Sequence, residues 1–148
     1  MIAIGSDHAG YPLKEEIKNF LNENGIEYKD FGAYNTDASV YAEMAVAPCR
    51  AVQQGECDKA LLVCGTGIGI SIAANKHRGI RAAVCSDCYS AEYSRKHNDA
   101  NALCLGARVV GTGLALKIVD IFLKVPFEGG RHTQRIAYFE QIENHQSF

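Results

Sequence analysis

Short apolar runs alternate with longer amphipathic stretches along nearly the whole of this chain. Ile2 to Gly5 is apolar and gives way to polar residues, the form of a strand buried in a parallel sheet. Ala9 to Asn24 places Leu13, Ile17, Phe20 and Leu21 on one helical face, with Gly25 where a C-terminal cap belongs. Ile26 to Phe31 alternates as a strand. Residues 40–54 read as a helix in which Pro48 predicts a kink or a late start. Lys59 to Cys64 carries Ala-Leu-Leu-Val, the clearest buried strand, and a glycine-rich turn and a helix through Asn75 follow it. Ile80 to Cys85 and Ala102 to Leu105 read as strands, with a helix from Tyr89 to His97 between them. Leu114 to Leu123 is apolar on almost every side, which points to deep burial or a subunit contact. Arg131 to Gln146 closes the chain as an amphipathic helix. This alternation predicts an α/β protein: a three-layer α/β/α sandwich with a Rossmann-like five-stranded parallel sheet and helices on both faces.

The 148 residues fit one domain. Fifteen Lys and Arg against seventeen Asp and Glu leave a net charge of −2, which excludes a generally basic nucleic-acid binder and a polybasic membrane-surface protein. No stretch approaches the roughly eighteen apolar residues of a membrane span, and the opening residues lack the pattern of a signal peptide. Six cysteines stand at 49, 57, 64, 85, 88 and 104, in or beside apolar segments. A chain with an ample core has no need of disulfides, so free thiols in a reducing cytoplasm are expected.

Ligands of open parallel sheets bind beyond the carboxyl ends of the strands. Asp7-His8 follows the first strand, Cys64-Gly65-Thr66-Gly67-Ile68-Gly69-Ile70-Ser71 the third, and Ser86-Asp87-Cys88 the fourth; these should converge on one edge. The glycines at 65, 67 and 69 expose backbone N–H groups beside a helix N-terminus, a nest suited to a phosphate or a developing oxyanion. The same pattern also serves as a plain tight turn. No Gly-Lys-Ser/Thr closes it as a Walker loop, and Ile70 stands where a dinucleotide fingerprint needs its third glycine. Cys64, at the mouth of the turn, is either a nucleophile or base favoured as thiolate by the amides, or a buried apolar residue. Cys85 and Cys88 have C-x-x-C spacing without the second pair that a structural zinc site wants. His97 near a helix C-terminus suits a proton donor, or a solvated helix end. Arg131 and Arg135 share a helical face that could grip a dianion or simply face solvent, and Arg108 follows the fifth strand.

Four segments together resemble the ribose-5-phosphate isomerase B family, which includes allose-6-phosphate and galactose-6-phosphate isomerases. They are Gly5 to Gly10, Cys64 to Lys76, Ser94 to Asp99, and Glu128-Gly129-Gly130-Arg131-His132. The resemblance implies a metal-free, cofactor-free aldose–ketose isomerase of ribose 5-phosphate, with a six-carbon substrate as the alternative within the family. It implies Cys64 as the base between C2 and C1, since Ile70 replaces the glutamate of some members and cannot titrate. It makes His97 the acid that opens the furanose. Asp7 would hold sugar hydroxyls, with His8, Arg108, Arg131 and Arg135 on or near the phosphate. Asn98 and the amides of residues 65–69 (Gly65, Thr66, Gly67, Ile68, Gly69) would steady the enediolate. The family pattern Thr-Asp-Tyr-Pro is replaced here by Thr36-Asp37-Ala38-Ser39, although Tyr41 stays in register to pack on the sugar. The resemblance also implies a homodimer or tetramer whose site is shared, His97 and Asn98 coming from the neighbour. A non-catalytic phosphate-binding module remains the reading from another class.

Overall fold

The computed structural model describes residues 1–145. Five parallel strands, β1 (Ile2–Ser6), β2 (Tyr28–Asp30), β3 (Lys59–Cys64), β4 (Ala82–Val84) and β5 (Ala102–Gly106), form one sheet in the order β2-β1-β3-β5-β4. Six helices alternate with or follow them: α1 (Tyr11–Glu23), α2 (Tyr41–Gln53), α3 (Ile68–Ala74), α4 (Cys88–Asn98), α5 (Thr112–Lys124) and α6 (Arg131–His145).

Side-chain alternation decides which helix covers which face. Ile2, Ile4, Leu61, Val63, Leu103 and Leu105 point to one side, where they pack on Leu13, Ile17 and Leu21 of α1, Ala91 of α4 and Ile118, Val119 and Phe122 of α5. The opposite face is built from Ala3, Ala60, Leu62, Cys64, Ala102 and Cys104, and the small residues among these let α2 and α3 approach closely. The apolar helix over 114–123 is thus explained by burial: Ala115, Ile118, Val119 and Phe122 are inaccessible to solvent.

Several boundaries differ from those the sequence predicts. Pro48 does not delay α2, which runs unbroken through it from Tyr41. The proline ring packs over Gly5, where an added Cβ would meet Pro48 Cγ at 2.9 Å. The strands expected over 26–31 and 80–85 shrink to three residues each. Both are edge strands with one neighbour, and their leading amides bond back into the preceding segments, Ile26 to Leu21 of α1 and Ile80 to His77 in the turn after α3. Helix α1 begins at Tyr11 because Ala9 and Gly10 form a turn in which the Asp7 carboxylate accepts the Gly10 N–H at 2.9 Å. Gly25, at φ +66°, ends α1 as expected. The end of the last predicted helix, Gln146, lies outside the described residues. No helix among the described residues is long and apolar enough to cross a membrane.

Candidate active site

Strand order reverses between β1 and β3, so the crevice of the sheet opens beyond their carboxyl ends. Asp7 leaves β1 there, buried, with its amide on the Val63 carbonyl at 3.1 Å. Cys64 ends β3, and the turn that follows folds back over its sulfur: the Gly67 N–H donates to Cys64 Sγ at 3.1 Å. Gly67 sits at φ +78°, and an added Cβ would lie 3.0 Å from the Leu105 backbone, so only glycine lets this amide aim at the sulfur. The Ile68 N–H turns to Thr66 Oγ1 at 3.2 Å. Two of the amides expected to face a ligand are therefore committed within the turn, which leaves Gly65, Thr66 and Gly69 for that task. Ile70 is fully buried in the core, so Cys64 is the one titratable residue from 64 to 71.

The neighbours of the turn come from three other segments. The Arg108 guanidinium lies against Gly65, 3.3 Å from where a Cβ would stand, and the Arg108 and Ala107 amides bond the carbonyls of Gly65 and Cys64. The Tyr41 ring covers Gly69, whose Cβ would meet it at 2.8 Å. His8 stands on the loop after β1 and exchanges two hydrogen bonds with Ser39. Asp7, His8, Tyr41, Arg108 and the 64–69 turn thus gather at one edge. Asp87 of the fourth segment reaches this edge but caps α4 through the Ser90 N–H at 2.7 Å.

His97, Asn98, Arg131 and Arg135 lie elsewhere. Helix α4 returns from the end of β4 to the start of β5, so its last turn is at the amino edge. Its eleven residues span about 16 Å. There the chain is clamped by Asp99, in left-handed conformation at φ +45°, which Arg95 contacts at 2.7 Å and Arg81 at 3.2 Å. Arg95 also bonds the Ala100 carbonyl at 2.6 Å. The His97 ring stacks on His132 with centroids 4.2 Å apart and receives the edge of Tyr93. Arg131 Nε donates to His132 Nε2 at 3.4 Å. Burial, together with the charges of His97, Arg131 and Arg135, pushes the His132 imidazolium pKa down. His97, Glu128 and His132 bring three donor atoms within 4.8 Å, the one such group among the described residues that could hold a metal ion. The adjacent guanidinium of Arg131 makes it better suited to an anion.

The sequence reading passed over His132, although it sits in the quoted Gly-Gly-Arg-His segment beside Arg131. It also passed over Arg81, which carries no motif, and gave no role to Arg95 within the Ser94 to Asp99 segment. Of the six thiols, Cys49 and Cys85 are pushed up by burial to about 12 and about 11, and Cys104 also rises for want of solvent. These three are core residues, and Cys85 with Cys88 forms no disulfide.

An open parallel sheet with a cysteine-bearing glycine turn at its switch point and a cationic His/Arg cluster on the opposite edge defines an α/β protein built to hold an anionic substrate. The chain belongs to the ribose/galactose isomerase family, whose model matches residues 2–139. It is 51% identical to ribose-5-phosphate isomerase B of Escherichia coli over 96% of this chain and 95% of that one. The structure of the Clostridium thermocellum ribose-5-phosphate isomerase B is similar at 53% identity and a TM-score of 0.97, covering 99% of both chains. The Mycoplasma genitalium enzyme of that name, solved with ribulose 5-phosphate bound, is 39% identical with a TM-score of 0.93, covering 97% of this chain and 96% of that one.

Proposed function

We propose that this protein is an aldose–ketose isomerase interconverting ribose 5-phosphate and ribulose 5-phosphate, the whole chain acting as one catalytic domain. The observation that carries the reading is the Cys64 sulfur held under the Gly67 amide at the mouth of the turn. The amide aims a donor at the sulfur, and no other side chain on the turn can take a proton. Once the sugar is open, Cys64 removes the C2 proton and returns it to C1 through an enediolate, while the hydroxyl proton passes from O2 to O1. Oxyanion donors at Gly65, Thr66 and Gly69 face the developing charge, each worth about 3–4 kcal/mol in a preorganised site. Asp7 and His8 orient hydroxyl and phosphate oxygens, and Tyr41 walls the sugar.

The acid that opens the ring, His97, comes from a second copy of the chain, together with Asn98 and the Arg131–Arg135 pair. Topology supports this, because within one chain β3 and α4 carry Cys64 and His97 to opposite edges of the sheet. The surface near the turn also fits a partner: Ile68 and Ile72 are more than half exposed, and Val84 packs against Gly67 at the edge of the sheet. The active form is then a homodimer or a tetramer. Arginines from the amino edge of one copy bind the phosphate far from the reacting carbons, and that binding orients the sugar. Five buried, unbridged thiols favour a reducing, cytoplasmic setting.

The test is ribose 5-phosphate turnover with excess chelator, for wild type and Cys64→Ala. Turnover that survives chelator and falls about a thousandfold in the variant supports a metal-free thiolate base. Silence on ribose 5-phosphate with turnover of allose 6-phosphate moves the reading to a six-carbon substrate. Silence on both, with binding retained, makes the protein a phosphate-ligand binder.

A further inference from the structure

Two loops thirty-one residues apart are locked together at the carboxyl edge. The His8 amide donates to Ser39 Oγ at 2.8 Å, and the Ser39 amide donates to His8 Nδ1 at 3.2 Å. A backbone N–H can only donate, so Nδ1 carries the lone pair and the ring proton resides on Nε2. The same lock fixes the loop in front of α2. Val40 occupies the N-cap position of that helix without a side-chain cap, and Tyr41 directly after it covers Gly69.

We propose that Ser39 is a positioning residue that holds His8 as an Nε2–H donor toward the sugar phosphate and, through the same pair of bonds, pins the Tyr41 ring over the glycine turn. The inference rests on the isomerase reading for the identity of the ligand, but not for the state of the ring. The backbone of residue 39 matters more than its hydroxyl. Proline, which the family pattern places here, has no N–H and could not set the tautomer. In this chain the histidine is therefore committed in advance to donating one hydrogen bond, and its acceptor must be an oxygen of the substrate. Imidazole free to change tautomer would offer a donor or an acceptor, and would lose affinity by the fraction of time spent in the wrong form. Tyr41 would also lose the tie that holds it against the sugar pocket.

The experiment records ¹⁵N signals of the histidine ring nitrogens in the substrate-free protein, with His8 assigned by loss of its signals in His8→Gln. Wild type, Ser39→Ala and Ser39→Pro are compared, and thermal unfolding monitors each fold. Wild type and Ser39→Ala should show a protonated Nε2 and a bare Nδ1, whereas Ser39→Pro should show an averaged pair. The KM for ribose 5-phosphate should rise about tenfold in Ser39→Pro and about threefold in Ser39→Ala, the scale of one hydrogen bond or less, with kcat changed by under about threefold in both. A wild-type His8 protonated on Nδ1, or an even mixture, overturns the proposal whether or not the proline variant folds. So does a folded Ser39→Pro with unchanged ring signals or an unchanged KM. If the wild type does not turn over ribose 5-phosphate, the functional reading fails, and the ring signals still decide the tautomer.

Discussion

At the carboxyl edge of the sheet the functional groups grow out of buried strand ends, whereas at the amino edge they stand on helix ends that solvent reaches. Asp7 and Cys64 are almost inaccessible, and their positions are set by ladder bonds and by a turn whose amides are already assigned. His97 is about one-third exposed, while Asn98, Arg131 and Arg135 lie on the surface, held through the Asp99 clamp and the His97–His132 stack. The difference matches the tasks. A base must meet one carbon with fixed geometry, so it belongs on a rigid element. In the proposed dimer, cations that bind a dianion tolerate movement, and carried to the base by a second copy they avoid the desolvation that burial beside it would impose.

The largest effect comes from separating the two edges genetically. Cys64→Ala and His97→Ala should each lose about a hundredfold or more in turnover. Mixed and reassociated after gentle dissociation, the two inactive proteins should recover about a quarter of wild-type activity, because half of the symmetric dimers are mixed and each has one intact site. No recovery, with mixed dimers shown by native mass spectrometry, would place both residues in one chain's site and break the comparison.

Glycine substitutions sharpen the contrast in rigidity. At Gly106 an added Cβ would stand 2.6 Å from the Thr66 backbone, neither side free to give way, so Gly106→Ala should cost about 3 kcal/mol or more. At Gly130, beside α6, φ is +55° and nothing lies within 4 Å, so the alanine there should cost only about 1 kcal/mol of backbone strain. Urea unfolding of the two variants measures both. Equal losses would show that the amino edge is as tightly built as the carboxyl edge.

The smallest effect concerns charge. Asp30, at the end of β2, is partly buried between Lys14 and Lys18. Burial alone would raise its carboxyl, but hydrogen bonds from both lysines and the Gly32 amide hold it below the usual carboxylate value. A carboxyl with a depressed folded pKa stabilises fully above its unfolded pKa, near 4, and loses that contribution as pH falls through the lower, folded value. Asp30→Asn should therefore cost about 1–3 kcal/mol at pH 7, leaving Lys14 buried without its partner, and should flatten the acid limb of stability. At the amino edge Asp58 pairs with the chain terminus at 2.6 Å, but it is mostly exposed, and Asp58→Asn should cost under about 0.5 kcal/mol. Denaturant midpoints at pH 7 and pH 3 compare the two.

The sequence by itself determined the α/β alternation, the apolar character of the 114–123 helix, the cap at Gly25 and the glycine turn with its single titratable side chain. Each of these is a local pattern: a period of apolar residues, a backbone angle that glycine alone adopts freely, a side chain next to its own amides. Its nearest failure was local too, since Pro48 predicts a kink or a late start, whereas the helix begins at Tyr41 and runs through it with Gly5 beneath the ring. The sequence also placed the residues that follow strands at the carboxyl edge, and tertiary structure decided where the helix-borne ones lie. His97 and Cys64 read along the chain as members of one set, yet the return path of α4 parts them, because a parallel crossover must bring the chain back to the amino edge before the next strand can start. The same holds for the arginine clamp on Asp99, the burial of His132 against His97 and the bonds between His8 and Ser39. Apart from the Arg95–Asp99 pair, four residues apart, these join positions far apart in sequence, and no periodicity or propensity encodes a contact that exists only once the layers have packed.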